Sequence, residues 1–168
     1  MRIDDSVEFA DYFDGIRART RRVLDVVPAE RFDEAPGEGR WSFADLARHL
    51  GALERWMFAE NAAGRPSRYP GHGPELADGR DPVLAYLDRM HEESMAIIRA
   101  LPPARLKEKA TTPSGAAITT WKWLRAMVEH EVHHRGQIYL MLGLLGVPTP
   151  PLYGLTSEEV RERSLPAG

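Results

Sequence analysis

Apolar residues recur every third or fourth position through four long stretches of this chain, and nowhere does strict apolar–polar alternation persist. That spacing places a stripe along one side of a helix, and the stripe must be buried against other helices. The first stretch runs from about Ser6 to Val27 and carries Phe9, Phe13, Ile16, Val23 and Val27, with Pro28 as its stop. The second covers about Phe43 to Ala63, with Leu46, His49, Leu50, Leu53, Trp56 and Met57 on one stripe. Ser42 is its expected N-cap and Asp45 a short-armed capping-box partner. The third is expected to open on Asp81 as cap, with Pro82 in its first turn, and to bury Leu84, Leu87, His91, Ser94, Met95, Ile98 and Leu101. The fourth starts at Thr119 or Thr120 and runs to about Leu145, through Leu124, Met127, His130, His134, Ile138 and Met141, with Gly146 just beyond it. Thr156 and Glu159 form a capping box for a short helical turn near the C-terminus. The reading is an all-α chain: residues 1–168 as a single four-helix-bundle domain with a short C-terminal helical turn. The connections 64–80 and 102–118 read as irregular loops, long enough to cover one end of the bundle and shelter a site there.

Composition narrows the chemistry. There is no cysteine, which excludes disulfides, thiolate ligands and a cysteine nucleophile. Any metal must therefore be held by nitrogen and oxygen. A net charge of −3 leaves no electrostatic footprint for nucleic acid or an anionic membrane, so neither is expected as a partner. The charged start Met1-Arg2-Ile3-Asp4-Asp5 does not read as a signal peptide, and no run approaches the ~20 apolar residues of a membrane span. A cytoplasmic protein acting on a small molecule is the expectation.

His130 and His134 lie four residues apart in the fourth helix. Four residues turn a helix by a full circle plus about 40°, so the two rings stand one above the other and can grip one ion. Met127, Ile138 and Met141 share their face, which points them into the core. A buried ring nitrogen left without a partner costs roughly 1–3 kcal/mol, and a metal would satisfy both. A third nitrogen from a second helix would complete a facial site with positions left open for water or substrate, the pattern of catalytic centres. By periodicity His49 and His91 both qualify. His133 falls about 100° from His134, toward solvent or an interface, and His72 lies in a Gly/Pro-rich loop and reads as a surface residue. Gln137, Glu131 and Asp45 are the candidates to support the ligands from behind. Residues 130–134 also match H-E-x-x-H, the zinc-protease helix with the glutamate as base. The chain has no strand pattern to hold a peptide and no third histidine in the metzincin position, which argues against that reading. Arg48, Arg65, Arg68 and Arg135 could meet carboxylates of a cosubstrate, although solvation at the surface is the plainer expectation for each. Trp121 and Trp123 cannot both face one core, which places one of them at an edge or an interface.

Trp41-Ser42, Ala47-Arg48-His49-Leu50, the run Glu129 to Ile138 and the tail Leu145-Gly146-Val147-Pro148 with Pro151-Leu152-Tyr153-Gly154-Leu155 together resemble the DinB/YfiT-like metalloprotein superfamily. The resemblance implies a four-helix bundle holding a divalent metal (zinc, nickel or iron) through His49, His130 and His134, and often a homodimer. Relatives include thiol transferases that use bacillithiol and a mycothiol-dependent maleylpyruvate isomerase. The implied activity is a metal-dependent transferase or hydrolase that activates water or a low-molecular-weight thiol cosubstrate. The alternative is a non-catalytic metal-binding, stress-associated bundle. The absence of cysteine suits a thiol supplied from outside the chain.

Overall fold

The computed structural model describes residues 2–164. Helix α1 spans Ser6–Asp25, capped by Asp5, whose carboxylate accepts from the amides of Val7 and Glu8. Helix α2 spans Phe43–Leu53 and opens with the full Ser42/Asp45 capping box. It continues unbroken through a π-helical stretch, Glu54–Ala59, and a last turn, Glu60–Ala62. Helix α3 spans Arg80–Arg99, α4 Pro103–Lys107, α5 Thr120–Leu144 and α6 Ser157–Ser164. No helix among the described residues is long and apolar enough to cross a membrane.

Two apolar clusters fill the interior, one toward each end. The first joins the C-terminal part of α1 (Val23, Leu24) to the start of α2 (Phe43, Leu46, Leu50), the start of α3 (Val83, Leu84, Leu87) and the end of α5 (Ile138, Leu142). The second joins Phe9 and Phe13 of α1 to Phe58 and Ala62, to Met95 and Ile98 of α3, and to Leu124 and Met127 of α5. The pairing of ends fixes the topology. Helices α2 and α3 run parallel, and so do α1 and α5, the two pairs being antiparallel to each other. A parallel neighbour cannot be reached by a short turn, so the segment after α2 must travel back along the bundle. The expectation that this connection covers one end is thus corrected: residues 64–79 run along its side. Arg48 anchors them, donating to the carbonyls of His72 (2.8 Å) and Ala77 (2.9 Å).

Between the clusters lies a belt of buried polar side chains: Arg17, His49, Glu54, Glu131, His134 and Arg135. The π-helical stretch adjusts α2 to this belt. Leu50, Glu54, Phe58 and Ala62 recur every four residues, and an ordinary helix would carry each about 40° past the last. Wider i→i+5 turns wind that drift back, so the stripe stays inward.

Three expectations change at element boundaries. Asp81 does not cap α3. Gly79 occupies the N-cap with φ +81° and no side-chain cap bond, a backbone shape glycine takes without steric cost. Asp81 instead pairs with Arg80 (2.9 Å) in the first turn. The 102–118 connection is not irregular throughout. It contains α4 and a two-stranded hairpin, β1 Lys109–Thr111 paired antiparallel with β2 Ala117–Thr119. Three-residue strands are too short to show alternation in sequence. Trp121 and Trp123 are both half-buried against the second cluster, Trp123 with its ring 4.7 Å from Phe58. The predicted C-terminal capping box is present, Glu159 accepting from the Thr156 amide at 2.7 Å and donating its own amide to the Thr156 hydroxyl at 3.2 Å.

Candidate metal centre

His49 from α2 and His130 and His134 from α5 meet at mid-height. Their ligand-capable nitrogens all lie within 4.8 Å of one another. His49 Nε2 is 3.1 Å from His130 Nε2, which is 3.1 Å from His134 Nε2. Behind His134, its Nδ1 lies 2.7 Å from Gln137 Oε1, an acceptor, so Nδ1 carries the proton and Nε2 presents a lone pair. Behind His49, Nδ1 lies 2.9 Å from the Tyr69 hydroxyl. That hydroxyl is 3.1 Å from His72 Nδ1 and can donate to it while accepting from His49. Burial, then the neighbouring rings of His134 and His72, push the pKa of His49 down from 6.5 to about 3. Burial, then His134 and His49, do the same to His130. Burial also lowers the pKa of His134, against the opposing Gln137 bond. The rings are therefore neutral at pH 7. A single hydrogen on His130 Nε2 can serve only one neighbour, leaving a lone pair facing nitrogen at hydrogen-bond distance. A cation would resolve this. Nitrogens bound tetrahedrally about 2.0–2.1 Å from zinc lie about 3.3 Å apart, close to the spacing found. The donor set is three imidazoles with no thiolate, which zinc, nickel and iron all accept.

His91 is not part of this cluster. Its Nδ1 faces Glu54 Oε1 and its Nε2 faces Asp14 Oδ1, each at 2.9 Å, so both nitrogens are occupied. His133 is exposed. Of the three expected supporting residues, only Gln137 touches a ring. Asp45 is held by Ser42 and by Arg48 (2.7 Å). Glu131 is turned away toward α1, with an oxygen 3.2 Å from Arg17. Glu131 is therefore not placed as a protease-type base, since the glutamate of the H-E-x-x-H match points away from the rings. Arg48 and Arg135 are not solvated but buried. Arg48 ties the 64–79 segment, and Arg135 donates to the Ile16 carbonyl (3.2 Å). Arg65 binds Glu60 (2.5 Å) rather than a site.

The sequence reading missed three residues around the mouth. The Trp41 ring lies 4.6 Å from His49, 4.4 Å from His72 and 6.0 Å from His134. Tyr69 and His72 arrive on the anchored segment, and the only available signal was an aromatic and a histidine inside a Gly/Pro-rich run. It also missed two of the buried charges, Arg17 and Glu54. Glu54 pairs with Arg17 and His91, all from different helices. Burial opposes ionisation of Glu54, but Arg17 and His91 hold its pKa below the ordinary range. Burial pushes Glu131 up, outweighing Arg17.

The DinB superfamily profile matches residues 12–138. The chain belongs to the DinB superfamily. Solved structures share this fold at low identity. A DinB-like protein of Bacillus cereus is 15% identical with a TM-score of 0.72, over 85% of this chain and 94% of that one. YfiT of Bacillus subtilis, described as a probable metal-dependent hydrolase with an unusual four-helix-bundle topology, is 20% identical with a TM-score of 0.67, over 85% and 89%. A mycothiol-dependent maleylpyruvate isomerase is 20% identical with a TM-score of 0.51, over 79% of this chain and 59% of that one. No curated protein matches. The parallel α2–α3 pair sets this DinB-family bundle apart from a simple up-and-down one.

Proposed function

We propose that this DinB-family protein is a metal-dependent enzyme, a transferase or hydrolase, in which His49, His130 and His134 hold one divalent ion. The observation that carries the reading is the convergence of three neutral Nε2 atoms that no arrangement of protons satisfies. When bound, such an ion lowers the pKa of a water or thiol in a remaining position. The protein's own residues orient the rings. Gln137 and Tyr69 fix which nitrogen of His134 and His49 faces inward. Trp41 shields the mouth. The described hydrolase and the thiol-dependent isomerase among the structural relatives support both forms of the reaction, with water or a thiol as the activated group. An ion present only to hold the fold is disfavoured, because two apolar clusters, neither containing the three histidines, pack the bundle from both ends.

Elemental analysis of protein purified without a nickel column tests the proposal. It should find about one zinc, nickel or iron per chain, and His134→Ala should lose it. Chelation should leave the far-ultraviolet circular dichroism unchanged. Wild-type protein that takes up no divalent ion on titration overturns the reading. Helices that melt on chelation restore the structural-ion alternative.

A further inference from the structure

Beside His134 a cavity of about 510 Å³ runs between the segment 36–41 and the C-terminal half of α5. Its size falls within the range of small-molecule sites. His134 and Gln137 form one wall and Trp41 and Met141 others, while Leu140 and Leu144, residues 66% and 69% exposed, also line it. Two leucines one helical turn apart, both open to water, are costly to leave uncovered, and a ligand with an apolar body would cover them. Among the residues lining the groove, Arg40 is the sole carrier of a formal charge. No carboxylate among the described residues pairs with its guanidinium, whereas Arg48, Arg55 and Arg65 are each held by one. A cationic ligand is repelled there, and a wholly polar one leaves the leucines bare.

We propose that the groove binds the substrate of the reaction inferred above, a small organic acid with an aliphatic or aryl body. Its carboxylate lies on Arg40 and its apolar body on Leu140, Leu144 and Trp41, against the wall formed by His134 and Gln137. This rests on the metal-centre reading for the word substrate, but the groove's preference for an apolar acid is measurable without it. An exposed guanidinium–carboxylate pair supports about a fivefold preference.

The probes are 4-phenylbutyrate and its neutral counterpart 4-phenylbutan-1-ol, titrated calorimetrically into the full chain, with zinc titrated in parallel. The acid should bind about fivefold more tightly than the alcohol. Arg40→Gln should erase that preference while leaving the alcohol unchanged. Leu140→Ser/Leu144→Ser should weaken both, and both variants should bind zinc like wild type. Equal binding of acid and alcohol, an unaltered preference in Arg40→Gln, or no binding of either probe overturns the proposal even if zinc binds. An acid preference that survives in protein unable to bind zinc supports the groove and removes the metal reading instead. If the wild type sediments as a dimer, the double leucine variant as a monomer, and neither probe binds, a second copy covers the leucines and the proposal falls.

Discussion

Replacing Arg17 with methionine should cost this protein more than any surface change, and the loss should depend on pH. The Arg17 side chain is 4% exposed and lies against two carboxylates, Glu54 and Glu131, each 2% exposed. Methionine keeps much of the volume but removes the one cation between them. Removing one partner of a buried ion pair typically costs 3–5 kcal/mol, because the charge left behind cannot be rehydrated. At about 2–4 °C per kcal/mol for a chain of this size, the melting temperature should fall by about 6–20 °C. The sign of the pH effect follows from Glu54. In the wild type its pKa lies below the ordinary range, so its contribution to stability is present above about pH 4.5 and is lost below it. Without Arg17, burial is opposed by His91 alone and the Glu54 pKa rises, so the variant carries a penalty that is full at high pH and shrinks as protons bind. Thermal melts followed by circular dichroism at pH 8 and pH 5 should therefore show the wild type–variant gap narrowing at pH 5. Adding Glu54→Gln to Arg17→Met should recover part of the loss at pH 8. A gap below about 1 kcal/mol, or one of equal size at both pH values, would refute the claim that the belt is held by charge pairing.

Further expectations concern the rings and the helix packing. Gln137→Leu and Tyr69→Phe should each weaken zinc binding by about 10–100-fold in competition with a chromophoric chelator, since each removes a partner that fixes a ring. His91→Asn should leave zinc affinity unchanged while lowering the melting temperature, because its nitrogens face Glu54 and Asp14 and not the cluster. A large loss of affinity in His91→Asn would mean that the belt and the centre are coupled. Gly51→Leu should destabilise by about 1–3 kcal/mol in urea titrations, because a Cβ there would already sit 3.3 Å from Met90 Cβ and 3.4 Å from Leu87 Cα, where α2 crosses α3.

The four long helices were legible because their apolar stripes are nearly continuous, and Ser42, Thr156 and Gly146 announce ends in local chemistry. Gly146 has φ +66° just past α5, the conformation its position calls for. The start of α3 was misread because a glycine with positive φ replaced the side-chain cap that Asp81 offered. Which histidine joins His130 and His134 was not decidable from periodicity, since His49 and His91 both follow helical stripes. The difference lies in what each ring meets: Glu54 and Asp14 tie both nitrogens of His91, whereas His49 faces α5. The charged belt did leave a trace. Arg17, Glu54 and Glu131 occupy positions where the stripes of α1, α2 and α5 call for apolar residues. Charges at such positions on three helices are expected to pair with one another, and here they do. Tyr69 and His72 left no such trace, because the position of a loop depends on the helix pairing that it spans.

The π-helical stretch makes the centre sensitive to chain length in one direction only. Deleting a single residue within Glu54–Ala59 would let α2 relax into a regular spiral with its hydrogen bonds intact and its helical content nearly the same. The wide turns hold about one residue more than a regular helix needs for the same sweep, so everything downstream would keep nearly its present bearing. An added residue finds no such slack: the chain beyond it would rotate by about 100°, Phe58, whose ring lies 5.6 Å from His130, would swing off the histidine it backs, and the loop bearing Tyr69 would start from a different side of the bundle. A shortening there should thus be absorbed, while a lengthening of equal size, with backbone spectra nearly alike, would dismantle the surroundings of the three rings.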